Sequence, residues 1–318
     1  MGLAKHAGKT ECFNYILRRV RGSGRRFAVT SIGVDGESYD ITSTLAKPEI
    51  EVYEGMIFVT SEAHYRQKRL VAEILDISGR RTALGRLVTA RALTDGKALL
   101  SGPADTGSLA ALTERLYGLG AQTVLIDGAL SRLSPASPAI AEAMVLATGA
   151  AVSTDPEKLV RATAYVCRLI GLPFAPDPLR ERLRGLENGI YAVGEDGEVC
   201  DLGVQSALSA DAAAIPADAG TLYVAGAVND GLLKILSKGG EGGRRRVVAR
   251  DFTRIVASAD VFGRFVRGGG TVEVLDRSRL LAVCVNPLAP DGMLMDSSML
   301  QEWLRAELDV PVCDVRRM

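Results

Sequence analysis

Aromatic side chains make up only 5% of this 318-residue chain, with a single tryptophan, so aliphatic side chains must fill most of its core. Histidine is scarcer still. His6 and His64 are the only two, which leaves little for a histidine-rich metal site or a Ser-His-Asp triad. The five cysteines (Cys12, Cys167, Cys200, Cys284 and Cys313) include no C-x-x-C pair and are odd in number. Their pattern argues against a disulfide framework or a zinc site and fits a reducing cytoplasm. No stretch approaches the ~18 apolar residues of a membrane span, and the start lacks the apolar region of a signal peptide. No membrane partner is expected. Net charge is lacking as well: Lys+Arg and Asp+Glu are 38 each. That balance speaks against strong binding to nucleic acid. The arginines at 18, 19, 21, 25, 26 and 244–246 read as solvated faces.

What the chain does have is ample apolar material, 47% against 24% charged, enough for one large or two ordinary domains. Strand-like and helix-like runs alternate. A helix over 10–20 precedes an apolar strand at 27–34. Short strands at 50–53, 56–60, 74–77, 87–92 and 98–100 form a β-rich elaboration spanning about 47–103. Helices are expected at 109–119, 137–143 and 156–170, and buried strands at 123–126 and 144–148. Pro173, Pro176 and Pro178 crowd together and mark a boundary between a first domain, 1–175, and a second, 180–318. The second half continues with a hairpin at 189–202, then strands at 222–228, 247–249, 272–275, 281–285 and 310–315. Helices near 230–237, 257–266 and 297–308 separate them. This grammar implies an α/β fold, a mostly parallel sheet with helices on both faces.

The densest signal sits at the front. Residues 2–10 run Gly-Leu-Ala-Lys-His-Ala-Gly-Lys-Thr, a glycine-bounded loop feeding a helix whose apolar face is Phe13, Ile16, Leu17 and Val20. Such a loop cradles phosphates on backbone N–H groups at a helix N-terminus. Ala7, Gly8, Lys9 and Thr10 would hold them, with Lys9 on the terminal phosphates and the Thr10 hydroxyl on Mg²⁺. The spacing departs from G-x-x-x-x-G-K-[ST] by one residue, so Leu3 stands where the leading glycine is usual. The strand that normally precedes such a loop is missing, and a late start or a truncation is the expected reason. Residues before Gly8 are therefore expected to be irregular, beside an open groove along the strand ending at Val34.

A phosphate loop needs a carboxylate at a strand end to order Mg²⁺ and its waters. Asp127 closes an apolar run and is followed by Gly128. Asp35, in Asp35-Gly36-Glu37, closes the strand after the first helix. Both are assigned to the metal and to catalysis with Lys9, and either could equally be a turn residue. Lys47 is a further candidate for a terminal phosphate. No Asn-Lys-x-Asp run exists to read guanine, so ATP is the expected nucleotide. Asn286 could contact a base. Asn229, Asp230 and Asp251 stand at strand ends, where helix capping explains Asn229 and Asp230 equally well.

The offset loop and the Asp127-Gly128-Ala129 run resemble the dethiobiotin synthetase branch of P-loop proteins, as does Lys47-Pro48. A wider set is similar to the small reactivase component that accompanies cobalamin-dependent lysine or ornithine aminomutases. It comprises Gly8-Lys9-Thr10, the run from Thr30 to Glu37, Lys47-Pro48, Leu125 to Ala129, Ala147-Thr148-Gly149 and the stretch from Val310 to Val315. The resemblance implies an ATP- and Mg²⁺-dependent accessory protein acting on an aminomutase with a MutS-like partner ATPase. Two alternatives stay open: an ATP-dependent small-molecule ligase of the dethiobiotin synthetase kind, and a noncatalytic scaffold with a degenerate loop.

Overall fold

The computed structural model describes residues 1–33, 39–40, 43–46, 49–128, 138, 140–211, 213–216, 219–238 and 245–318, with backbone alone at 39–40, 43–46 and 80. The chain forms two compact units. One combines 1–136, 145–159 and 281–318; the other combines 137–144 and 160–280. The expected boundary at Pro173–Pro178 follows chain order, whereas the first unit takes back the last stretch of chain.

The first unit opens with α1 (Lys9–Val20), β1 (Phe27–Ser31), and the short strands β2 (Tyr39–Asp40), β3 (Ser43–Ala46) and β4 (Ile50–Val52). There follow β5 (Ile57–Ser61), α2 (Glu62–Gln67), β6 (Ala72–Thr82), β7 (Gly85–Ala92), β8 (Gly96–Ala98), α3 (Thr106–Gly118) and β9 (Thr123–Asp127). Five of these strands make one sheet in the order β6-β7-β5-β1-β9. β1 pairs in parallel with both β5 and β9, while β7 pairs antiparallel with β5 and β6. The stretch expected as a β-rich elaboration therefore supplies three of the main sheet's five strands, and the sheet is mixed.

α1 packs by the face its spacing implies. Phe13 and Leu17 enter a core with Phe27, Val29, Val52 and Phe58, and Val20 packs against it. The helix stops where the Arg21 N–H bonds Leu17 O and the chain turns through Gly22 and Gly24 at positive φ.

The chain continues through β10 (Ala143–Gly149), α4 (Pro156–Ile170), α5 (Asp177–Leu183), β11 (Ile190–Val193), β12 (Val199–Val204) and β13 (Thr221–Val224). Then come α6 (Asp230–Lys238), β14 (Arg246–Ala249), α7 (Ala259–Arg267), β15 (Thr271–Val274), β16 (Arg279–Asn286), α8 (Ser297–Glu307) and β17 (Val312–Cys313). α4 starts as read. Asp155 Oδ1 accepts from the N–H groups of Glu157 and Lys158, Pro156 takes the first helical position, and the Gly171 N–H closes the end on Cys167 O. The helix expected over 137–143 is absent from the described residues there. A turn leads straight into β10, because Met144 and Leu146 alternate inward at strand period and claim the segment for a sheet.

The second unit holds the sheet β12-β11-β13-β14-β15. Its last three strands are parallel and β11 is antiparallel to both neighbours. Tyr223, Val248 and Leu275 centre its core. The molecule is a mixed α/β protein, and no helix among the described residues is long and apolar enough to cross a membrane.

Candidate functional site

Before Gly8 the chain forms no strand, as the sequence implies, but it carries one isolated bridge. Gly2 makes a parallel bridge to Ala147 of β10. The Met1 ammonium donates to Val145 O at 2.9 Å, the Ala147 N–H to Met1 O at 2.8 Å and the Leu3 N–H to Ala147 O at 2.9 Å. Residues 3–7 are bends and turns, as the sequence implies. The chain therefore passes from a short parallel pairing, through a tight loop, into α1. Val34 and the expected groove beside it lie outside the described residues.

Two left-handed residues shape the loop: His6 at φ 63° and Gly8 at φ 87°. Gly8 is the N-cap of α1 and brings no side-chain cap, so the N–H groups of the first turn have no side-chain acceptor at that position. Ala7 is buried. Lys9 folds its stem over Gly2, where an added Cβ would lie 2.6 Å from its Cγ and 2.7 Å from its Cδ. A glycine at position 2 is what lets the lysine lie there. Thr10 is half-buried in the first turn.

Asp127 ends β9 beside the start of this loop. Its charge and that of Lys9 both act on the Met1 ammonium, in opposite directions, while burial of that ammonium is the larger effect and lowers its pKa. The carboxyl end of β9 is also tied to that of β1, with the Ile32 N–H and Ser31 hydroxyl both donating to Asp127 O. Ala7, Gly8, Lys9 and Thr10 thus follow one another through the loop into α1, and Asp127 and Lys9 both lie within electrostatic reach of the Met1 ammonium. Asp35 and Lys47 lie outside the described residues. A hydroxyl such as that of Thr10 and a carboxylate such as that of Asp127 are oxygen donors of the kind Mg²⁺ accepts, usually one or two of them beside phosphates and waters.

Asn286 was read as a possible base contact. The structure gives it another task. Its Nδ2 donates to His6 O at 3.0 Å, and its Cβ lies 2.9 Å from where a Cβ on Gly8 would be. Asn286 O in turn accepts from the Ala150 N–H at 2.9 Å, so close that Gly149 has no room for a side chain. The loop is therefore seated on the carboxyl ends of β10 and β16, where ligands gather in open α/β sheets. A crevice of about 10 Å³, with room for about one water, lies between Gly8, Glu11, Cys284, Asn286 and Arg316. It is too small for a nucleotide, which would have to lie across the outer face of the loop. A far larger cavity, about 990 Å³, is in the second unit. It opens at Thr221, Arg246 and Thr271, which begin the parallel strands β13, β14 and β15, the opposite ends from those that carry ligands by the same rule.

Other sequence candidates are structural. Asn229 Oδ1 caps α6 by accepting from the Leu232 N–H, and Asp251 accepts from the Thr253 N–H. Asp230 accepts from the N–H and hydroxyl of Ser258, which heads α7. Arginines of the first basic cluster are spent locally: Arg21 pairs with Asp95, and Arg26 Nε donates to Gly120 O at 2.6 Å.

Sequence reasoning missed a group of thiols. Cys12 Sγ and Cys284 Sγ are 2.8 Å apart, and Cys284 Sγ is 3.8 Å from Cys313 Sγ. The bond between the first two makes Cys12 the more acidic and raises Cys284, while burial raises Cys313. Local spacing carried no sign of this, because the three come from α1, β16 and β17. Among the described residues no group of three or more His, Cys, Asp or Glu side chains is arranged to hold a metal ion. A comparison with protein-family models found no match, and searches of curated proteins and of solved structures found none either.

Proposed function

We propose that this chain binds the phosphates of ATP on the loop of Ala7, Gly8, Lys9 and Thr10 and uses that binding to act on a partner enzyme. The observation that carries the reading is the passage from the Gly2 pairing on β10, through a left-handed Gly8 that offers no side-chain cap, into α1. First-turn N–H groups and the helix dipole favour an anion at that point. Lys9, already folded back over the loop, supplies the neutralising charge. Asp127 at the end of β9 stands beside it. When bound, Mg²⁺ would neutralise phosphate oxygens while held by the Thr10 hydroxyl and the Asp127 carboxylate. The partner rests on the resemblance: a cobalamin-dependent aminomutase, reactivated together with a MutS-like ATPase, in a reducing cytoplasm.

Calorimetry with ATP and Mg²⁺ tests the core of this. Binding in the native chain and its loss in Lys9→Ala is the expected result. Equal binding in both, or none in the native chain, would remove the phosphate loop. Binding retained without turnover, even with the aminomutase present, would favour the scaffold reading over the ATPase.

A further inference from the structure

We propose that Cys12 and Cys284 are a redox-modification site: under a peroxide they join in a reversible disulfide that ties the first turn of α1 to the end of β16. Both thiols are buried, with sulfurs 2.8 Å apart. A disulfide requires about 2.05 Å, so the bond forms with a shift of under about 1 Å. Cys284 also lines the crevice beside Gly8, which has room for about one water. That gives a small oxidant, but not a bulky one, a way to the pair.

The chemistry needs only the peroxide. One thiol attacks an oxygen of the peroxide, breaks the O–O bond and becomes a sulfenic acid, releasing water. The second sulfur then attacks the first. The S–O bond breaks, and a second water leaves with the second thiol's proton. The two electrons given up by the thiols end on the peroxide oxygens. A dithiol reductant reverses the bond by exchange. Such transient disulfides are the kind found in reducing compartments. Cys313, 3.8 Å from Cys284, stands ready as a second partner if Cys12 is removed.

The bond reaches the loop directly. Cys12 lies one turn into the helix that Gly8 heads, and Cys284 lies two residues before Asn286, which bonds His6 O and packs on Gly8. Drawing the sulfurs together pulls the first turn of α1 toward β16 and moves the N–H groups that would hold phosphate. That last step rests on the nucleotide reading above. Site geometry is sensitive to displacements of about 1 Å, so oxidation should weaken ATP binding measurably.

The test treats the whole chain with hydrogen peroxide and maps peptides by mass spectrometry without reduction. A linked Cys12–Cys284 peptide, about 2 Da lighter than its parts and lost on adding dithiothreitol, is the expected result. In Cys12→Ser the link should move to Cys284 and Cys313; in Cys284→Ser neither link should form. No linked peptide in the native chain, or the same oxidation in Cys284→Ser, would overturn the proposal. Calorimetry on the reduced and oxidised forms reads the second step, and equal ATP affinity would refute the coupling. If the reduced chain binds no ATP, the nucleotide reading falls while the linked peptide still decides the thiol site.

Discussion

Replacing Gly8 by alanine should cost the first unit about 2–5 kcal/mol, and the structure separates that cost into two parts. At φ 87° an alanine is held in the left-handed region, worth about 1–2 kcal/mol against an L residue. Its Cβ would also stand 2.9 Å from the Asn286 Cβ. Overpacking of that kind costs about 1–3 kcal/mol. Trp303, the only tryptophan, lies on α8 in the same unit, so urea unfolding followed by its fluorescence reports on the right region. The two parts separate on backgrounds that both lack the amide bond to His6. Gly8→Ala made on Asn286→Ala keeps the opposing Cβ and should show the full cost. The same change made on Asn286→Gly removes that Cβ and should show only the backbone part. An equal cost on both backgrounds, or a total below about 1 kcal/mol, would refute the account of how the loop is seated.

Two further outcomes follow from single contacts. Gly2→Ala should push the Lys9 stem off the loop, since its Cβ would lie 2.6 Å from Lys9 Cγ; ATP affinity should fall severalfold in calorimetry while the urea midpoint hardly moves, because a flexible side chain can give way. Tyr165, in the second unit, donates its hydroxyl to Ala257 O at 2.6 Å, and burial raises its pKa from 10.0 to about 12. A raised folded value means the stabilisation is whole below pH 10.0 and is lost as pH climbs toward about 12. Alkaline unfolding of the native chain should steepen in that window, and Tyr165→Phe should flatten it.

Much of the architecture was legible because it is written in local periods. α4 has its aspartate cap, its first-position proline and its terminal glycine all within the segment, and the structure places it over Pro156–Ile170. The hairpin of β11 and β12 was equally plain. The failures are tertiary. Nothing local told that β5, β7 and β6 join the sheet of β1, because β5 and β7 present the buried runs that parallel and antiparallel partners share and β6 is an exposed strand with no buried run. The 137–143 stretch has helix-friendly alanines, yet the inward residues of β10 outweighed them. At the loop, the turn at Gly8 and the start of α1 after it were readable, since both are written in one short segment. The anchoring of His6 by Asn286 and the meeting of Cys12 with Cys284 were not, for these partners stand more than 270 positions apart in the chain.

The first unit is assembled from the two ends of the chain, with most of residues 137–280 folded as a body of its own in between. During synthesis this order matters. Domains fold as they emerge, N-terminal portions first, but here β16, α8 and β17 leave the ribosome only after the middle body, and β16 carries the residue that seats the loop. Until then β10 lacks β16, its neighbour in the sheet β10-β16-β17, and an unpaired strand edge is prone to mispairing with other chains. The middle body, by contrast, has most of its strands in one continuous stretch and can close beforehand. The seating of the loop therefore waits for β16, and a product interrupted before it would carry the glycines and the lysine without Asn286, which holds His6.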